Sequence, residues 1–425
     1  MKTKTTMNRN LVVVGAIMIQ LALGAIYAWS VYTKALKESG WTKQETQMVF
    51  SAGLALFAIV MVIASRFLQH PKVGPRKLAM ASGVVLGAGY VLAGLFGAEN
   101  FTTTFIFVGI IGGAGIGLGY VVPIATGIKW FPDKKGLITG LAVAGFGFGA
   151  TLWMTLADKL GPIGGGELIK SLGVSGTFIA FGIAYFVLVE IGSIWMKFPS
   201  DGYKPEGWTP PVATSAKPVA GSVSLTSMEM LRTPQFYLIL LTFAFGASAG
   251  LMSIGLMKLW PMEAMEANGI PVETASAAAT LAMAVFFALF NGLGRILWGM
   301  ISDKIGRKRS IIINAATQGV FVFLFQWMAG NEYTLYLFAM LIGFNFGGNF
   351  ALFPTITADI FGVKNVGMNY SWVFLAYAIG GIAGPIMGGK LGDMGNFPLA
   401  FSICGILCIL AVLTISLVRP AIRKD

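Results

Sequence analysis

Runs of about twenty predominantly apolar residues follow one another along this chain and decide what it can become. Twelve are read, at approximately 11–33, 48–68, 78–98, 102–126, 137–157, 174–196, 236–260, 276–300, 311–329, 333–357, 367–388 and 397–418. A helix rises 1.5 Å per residue, so about twenty residues cross the roughly 30 Å hydrocarbon layer of a bilayer. Barrel strands would alternate apolar and polar residues over about ten positions, and these runs are continuous. The expected fold class is an all-α integral membrane protein with twelve transmembrane helices.

Composition closes the soluble alternative. Charged residues make up 11% of the chain and hydrophobic ones 56%, whereas soluble proteins carry about 25% charged residues. The 56 glycines suit helices that pack closely in lipid. A formal charge of +12 might suggest nucleic acid, but the basic residues lie in short pieces between apolar runs. They report orientation instead. If the N-terminus is cytoplasmic, 22 Lys and Arg residues fall on that side, from Lys2, Lys4 and Arg9 to Arg419, Arg423 and Lys424. Only 7 fall opposite: Lys34, Lys37, Lys43, Lys159, Lys170, Lys258 and Lys390. The positive-inside bias therefore predicts both termini in the cytoplasm of a multi-pass cell-membrane protein. The first run is too long for the apolar core of a secretory signal and is read as the first span.

The longest polar piece, 197–235, is rich in Pro, Gly, Ser and Thr until SLTSMEMLRTP, which is expected to form a short helix. It divides the chain into an N-terminal six-helix bundle (1–196), a cytoplasmic linker (197–235, with Lys217) and a C-terminal bundle (236–425). A faint internal repeat agrees. At an offset of 231 residues Gly112 matches Gly343, Gly117 matches Gly348, Pro123 matches Pro354 and Gly136 matches Gly367. Such repeats are expected where two similar bundles rock about a midplane site.

One run carries a full charge well inside it. Arg295 stands in ASAAATLAMAVFFALFNGLGRILWGM (275–300), roughly 12 Å of helix from Asp303 at the membrane edge. An ionisable group at such depth is expensive and normally faces a polar cavity or a partner. Arginine stays charged when partly desolvated, and its planar fork matches a carboxylate bidentately. Arg295 is thus a candidate anion clamp; a structural arginine tied to helix ends is the alternative. Asn291, one turn earlier on the same face, is placed to orient the guanidinium or to contact substrate.

Between the eighth and ninth runs lies GMISDKIGRKR (299–309). Gly299 permits close helix approach, Asp303 can pair with a loop base, Gly306 makes a tight turn and Arg307 holds the cytoplasmic face. The first-half loop, SRFLQHPKVGPRK, has Pro71 where an aspartate would stand. Here the chain resembles the major facilitator superfamily, whose signature loop is Gly-x-x-x-Asp-Arg/Lys-x-Gly-Arg-Arg/Lys. Longer strings narrow the resemblance to the oxalate/formate antiporter family and related monocarboxylate transporters. They are KWFPDKKGLITG (129–140), MLRTPQF (230–236), ALFNGLGR (288–295), WGMISDKIGR (298–307), ALFPTITADIFG (351–362) and NY (369–370).

The resemblance implies a major facilitator fold and secondary transport of a small carboxylate by alternating access. It also implies that Arg295 binds the substrate carboxylate. The family's oxalate exchanger uses a lysine in the eleventh span as well, and Tyr377 stands at that position. One fixed cation neutralises one carboxylate, so a dianion would enter with uncompensated charge. The expected substrate is therefore a monocarboxylate such as lactate, pyruvate, formate, acetate or glycolate. Oxalate/formate or other dicarboxylate exchange is the alternative. Related proton-coupled transporters carry an aspartate where this chain has Asn291, so proton symport, exchange and facilitated movement stay open. Tyr27, Trp29 and Tyr32 match a cavity-lining region of the exchanger, Tyr120 matches another cavity tyrosine, and Phe146 and Phe346 match further aromatics. Interfacial or packing roles are the alternative for each.

An enzyme is not expected. The glycines of GIIGGAGIGLG (109–119) lie inside an apolar run with no preceding soluble strand, so they are read as packing positions. Cys404 and Cys408 are read as small buried hydrophobes. No cofactor and no metal are expected. The partners are a small carboxylate anion, with or without a proton, and the lipid bilayer, with the chain acting as a monomer.

Overall fold

A computed structural model describes residues 7–157, 168–209 and 224–419. The expectations for Lys2, Lys4, Lys159, Lys217, Arg423, Lys424 and the middle of the linker lie outside the described residues. Among the described residues, twelve helices are long and apolar enough to cross a membrane. They are α1 (Arg9–Trp29), α2 (Met48–Ser65), α3 (Gly74–Phe96), α4 (Phe101–Trp130), α5 (Lys135–Ala157) and α6 (Leu168–Ser193). The second set is α7 (Pro234–Leu256), α8 (Val272–Ile305), α9 (Arg307–Met328), α10 (Glu332–Phe361), α11 (Val366–Gly392) and α12 (Phe397–Leu417). The all-α reading holds, and the chain is a multi-pass membrane protein.

The chain divides into two compact units, Met1–Pro210 and Pro211–Asp425. Within the first, the main packing partners are α1 with α5, α2 with α4, α3 with α6, α1 with α6 and α3 with α4. Within the second, α7 meets α11, α8 meets α10, α9 meets α12, α7 meets α12 and α9 meets α10. Adding six to each helix number converts the first set into the second. The faint glycine and proline repeat thus accompanies a clear repeat of packing.

The physical basis is close helix approach. At Gly113, α4 lies against the backbone of Gly53 in α2. At Gly343, α10 lies against the backbone of Phe287 in α8, where an added Cβ would sit 2.5 Å from a carbonyl oxygen. In lipid, association rests on such packing and on interhelical hydrogen bonds. Cys404 and Cys408 are free and buried in α12, as expected for small apolar fillers.

The expected short helix at the end of the linker forms at Ser227–Leu231, started by a capping box between Thr226 and Glu229. Asparagines fasten it to the second unit. Asn365 and Asn369 donate to the Leu225 carbonyl at 2.9 and 3.1 Å, the Leu225 amide donates to Phe361, and Ser227 donates to Asn369. This gives Asn369 a structural reason to stand in the Asn-Tyr pair.

Candidate functional site: a buried arginine in an aromatic cluster

The helix carrying Arg295 changes its winding just before the site. Residues Ala282–Phe287 adopt a wider π-type turn, after which Ala288–Ile305 is regular. Wide turns of this kind recur at functional positions. The glycines of ALFNGLGR then bring α8 onto α10. A Cβ on Gly294 would collide with the Phe344 carbonyl oxygen, and one on Gly347 with that of Asn291.

Arg295 is 1% exposed, and burial of a full charge at this depth requires compensation. Its Nε donates to Asn291 Oδ1 at 3.1 Å. Its guanidinium carbon lies 4.2 Å from the centroid of the Phe350 ring, in cation–π range. Asn291 and Phe350 therefore set the plane of the fork, one from its edge and one from its face.

Phe350 belongs to a larger cluster. Its ring meets Phe346 at 5.5 Å and Tyr377 at 5.3 Å, both edge to face. Tyr377 also stacks near Phe374 at 5.3 Å. The structure thus brings Arg295, Asn291, Tyr377 and Phe346 into one neighbourhood of the second unit. Phe350 joins them without having been singled out in the sequence. It stands one residue before ALFPTITADIFG, and its signal was helical spacing: four residues after Phe346, on the same face of α10.

The first-unit residues divide into two groups. Tyr27, Tyr120 and Phe146 meet around Phe57, with Tyr27–Phe146 at 5.3 Å, Tyr120–Phe146 at 5.2 Å and Phe57–Tyr120 at 5.0 Å, all edge to face. Tyr27 rides on a tighter 3-10 segment, Gly24–Val31. Trp29 and Tyr32 lie elsewhere in the unit. The Trp29 indole donates to the Thr46 carbonyl at 2.9 Å, and the Tyr32 ring meets Phe178 of α6 at 4.9 Å.

At the α8–α9 loop the motif residues form a charged hub. Gly306 takes φ of 91°, a left-handed value that favours glycine, and ends α8 so that α9 can begin at once. Arg307 reaches back through Nη2 to Asp303 at 2.6 Å and across through Nε to Asp359 of α10 at 3.2 Å. Its Nη1 donates to the Ser302 hydroxyl, and Ser302 donates to the Gly299 carbonyl. Asp359, inside ALFPTITADIFG, was not singled out from sequence. Only the fold shows that α10 ends beside this loop.

The asparagines of α9 and α10 take interhelical bonds. Asn345 accepts from the Trp298 indole at 3.1 Å, donates to Thr317 at 2.9 Å, and its carbonyl accepts from Asn314 at 2.9 Å. Among the described residues no group of His, Cys, Asp and Glu could hold a metal ion.

Comparison with known proteins defines the class. The model of the Major Facilitator Superfamily matches residues 12–263 and 247–425. The chain belongs to the Major Facilitator Superfamily, a family of secondary transporters of small solutes. It is 27% identical to the oxalate:formate antiporter of Oxalobacter formigenes, over 97% of this chain and 91% of that one. It is 24% identical to apicoplast pyruvate carrier 1 of Toxoplasma gondii, over 85% of this chain and 80% of the carrier. The fold is similar to that of FucP in its outward conformation, with a TM-score of 0.68 and 14% identity over 96% and 99% of the two chains.

Proposed function

We propose that this protein moves a small monocarboxylate of the lactate, pyruvate, formate or acetate type across the cell membrane by alternating access. The observation that carries this reading is the buried Arg295, its fork oriented by Asn291 and Phe350. A carboxylate meets a guanidinium through paired charge-assisted hydrogen bonds, which supply both charge compensation and geometry. Phe350 lies on the face of the cation, and Phe346 and Tyr377 extend that ring into an aromatic cluster with one phenol, a lining suited to a short organic acid. Within the first unit, Tyr27, Tyr120, Phe146, Trp29 and Tyr32 are the proposed cavity-lining aromatics.

The two transport bundles are taken as 1–196 and 236–425, joined by 197–235, working as a monomer with both termini cytoplasmic. The distribution of basic residues supports that orientation. The Arg307 hub, with Asp303 and Asp359, is proposed to act as a cytoplasmic latch within the second unit, Gly299 and Gly306 giving it its shape. Coupling runs as proton symport or as anion exchange.

Oxalate/formate exchange is the second reading, supported by the identity to the Oxalobacter antiporter. Among the described residues Arg295 is the one buried cation, which argues against a dianion, because the second carboxylate would enter low dielectric uncompensated.

Purified protein in liposomes tests the choice. Labelled lactate uptake is measured with a pH gradient, without one, and against internal lactate or oxalate. Saturable lactate uptake with weak competition by oxalate is expected. Strong oxalate competition together with electrogenic exchange for formate overturns the monocarboxylate reading.

A further inference from the structure

The polar seam between α9 and α10 is closed by side chains around Asn345 and left open beside it. Asn345 uses its amide oxygen, amide nitrogen and carbonyl on Trp298, Thr317 and Asn314. Gln318 stands one turn after Asn314 in α9 and Asn349 one turn after Asn345 in α10; the two helices run in opposite directions, so these residues flank the Asn314–Asn345 contact from its two sides. Asn349 donates to the Phe346 carbonyl at 3.2 Å. Gln318 is 3% exposed, and both its Oε1 and its Nε2 are buried without a hydrogen-bond partner.

Gln318 lines a void in the second unit that Thr242, Asn314 and Asn349 also line, with Phe353 and Cys408 among its apolar walls. Gln318 is the twelfth of the 22 residues of α9, so the void lies well inside the bilayer. There an unsatisfied amide costs several kcal/mol, because no bulk water can compensate it. About 10 Å3 is open to the centre of a water-sized sphere, room for one such molecule.

The chemistry of the lining selects the occupant. Gln318 offers a donor and an acceptor at once, so its ligand must both accept and donate. Thr242 shares a 2.8 Å hydrogen bond with Thr414 of α12, and its oxygen can accept another. A monovalent cation would use the oxygens but leave Gln318 Nε2 facing positive charge, and no charged side chain lines the void to balance it. We infer that the void holds one ordered water, bonded to both ends of the Gln318 amide and bridging α9 to Asn349 of α10 and Thr242 of α7. It satisfies by solvent the polar groups beside Asn345, which meets its own by side chains. This inference does not rest on the identity of the transported acid.

Radiolytic hydroxyl labelling of the full-length protein, read by mass spectrometry, tests it. Radicals form where water is bound, so Phe353 and Cys408 should be modified in the wild type despite their burial. In Gln318→Leu, whose apolar side chain removes both partners and expels the water, modification of both should fall severalfold. Gln318→Met, unbranched and of similar length, repeats the test should the leucine variant fail to fold. Equal labelling in the wild type and the folded variant overturns the inference. So does a thermal stabilisation by sodium over choline that the variant abolishes, since that would make the occupant a cation.

Discussion

In the first unit, Tyr27, Phe57, Tyr120 and Phe146 meet ring to ring; in the second, Phe346, Phe350, Phe374 and Tyr377 do the same, with Phe350 also carrying a guanidinium on its face. The helices beneath these clusters pair by the same scheme, offset by six. What differs is charge. The second unit sinks Arg295 into α8, whereas its counterpart α2 runs from Met48 to Ser65 without a charged residue. The loops differ likewise. The second unit ties α8, α9 and α10 together through Arg307, Asp303 and Asp359. In the first unit Pro71 stands where Asp303 would, and an ion pair forms elsewhere, between Arg9 at the start of α1 and Asp133 in the α4–α5 loop at 3.2 Å. A shared packing frame therefore carries distinct chemistry: aromatic rings with a buried guanidinium in the second unit, aromatic rings without one in the first, among the described residues.

The largest effect should come from removing the fork while keeping its charge. Arg295→Lys loses bidentate geometry, the bond to Asn291 through Nε, and part of the face-on contact with Phe350. Charge-assisted bonds of this type contribute about 1.5–3 kcal/mol, so lactate uptake at low concentration should fall roughly ten- to hundredfold. Uptake with unchanged rate and apparent affinity would show that Arg295 is not the clamp, and would erase the functional difference between the units.

Tyr377→Lys sharpens the same contrast by adding a second cation to the charged cluster. The phenol ring of Tyr377 lies 5.3 Å from that of Phe350, which already carries Arg295 on its face. Selectivity should move towards dianions: oxalate should become a strong competitor and lactate a weaker substrate. An unchanged ratio of the two inhibition constants would detach Tyr377 from charge selection. The phenylalanine platform is a smaller lever. Phe350→Leu keeps apolar volume but removes the π face, and cation–π contacts contribute about 0.5–2 kcal/mol. A loss of apparent lactate affinity from a few-fold to about tenfold is expected from uptake titrations.

How far these features were legible in the chain depends on their range. Twelve helices follow from run length alone, because lipid forces every backbone polar group to be satisfied within the helix. Arg295 was visible as a full charge deep inside an apolar run, and Asn291 as its neighbour one turn away. Gly306 announced its turn locally. Phe350 showed only its spacing from Phe346, and Asp359 showed nothing, since each acquires its partner across helices: Phe350 from α8, Asp359 from the loop after it. Trp29 adds a contact of the same kind: its indole donates to the Thr46 carbonyl, which no spacing in α1 encodes, while the residue lines a void of the first unit with Ile26, Val49 and Tyr90. Gln318 carried no local signal, because its unmet amide is defined only by what surrounds it.

The smallest effects should come from the ion pairs, and their order tests whether the two units differ in how they are latched. Arg307 is 10% exposed and engages two carboxylates and a hydroxyl, whereas the Arg9 side chain is 32% exposed, with one carboxylate and the Phe131 ring at 4.5 Å. Solvent-exposed pairs contribute about 0–1 kcal/mol, and a shielded hub more, because one arginine bridges two carboxylates at once. Arg307→Gln should therefore lower the unfolding temperature of the detergent-solubilised protein more than Arg9→Gln does. Asp359→Asn, made on the Arg307→Gln background, should restore part of the loss by removing the exposed like charge. Equal destabilisation by the two arginine substitutions, without rescue by Asp359→Asn, would mean that the second-unit network is no stronger than a single surface pair, leaving Arg295 as the only charge that sets the units apart.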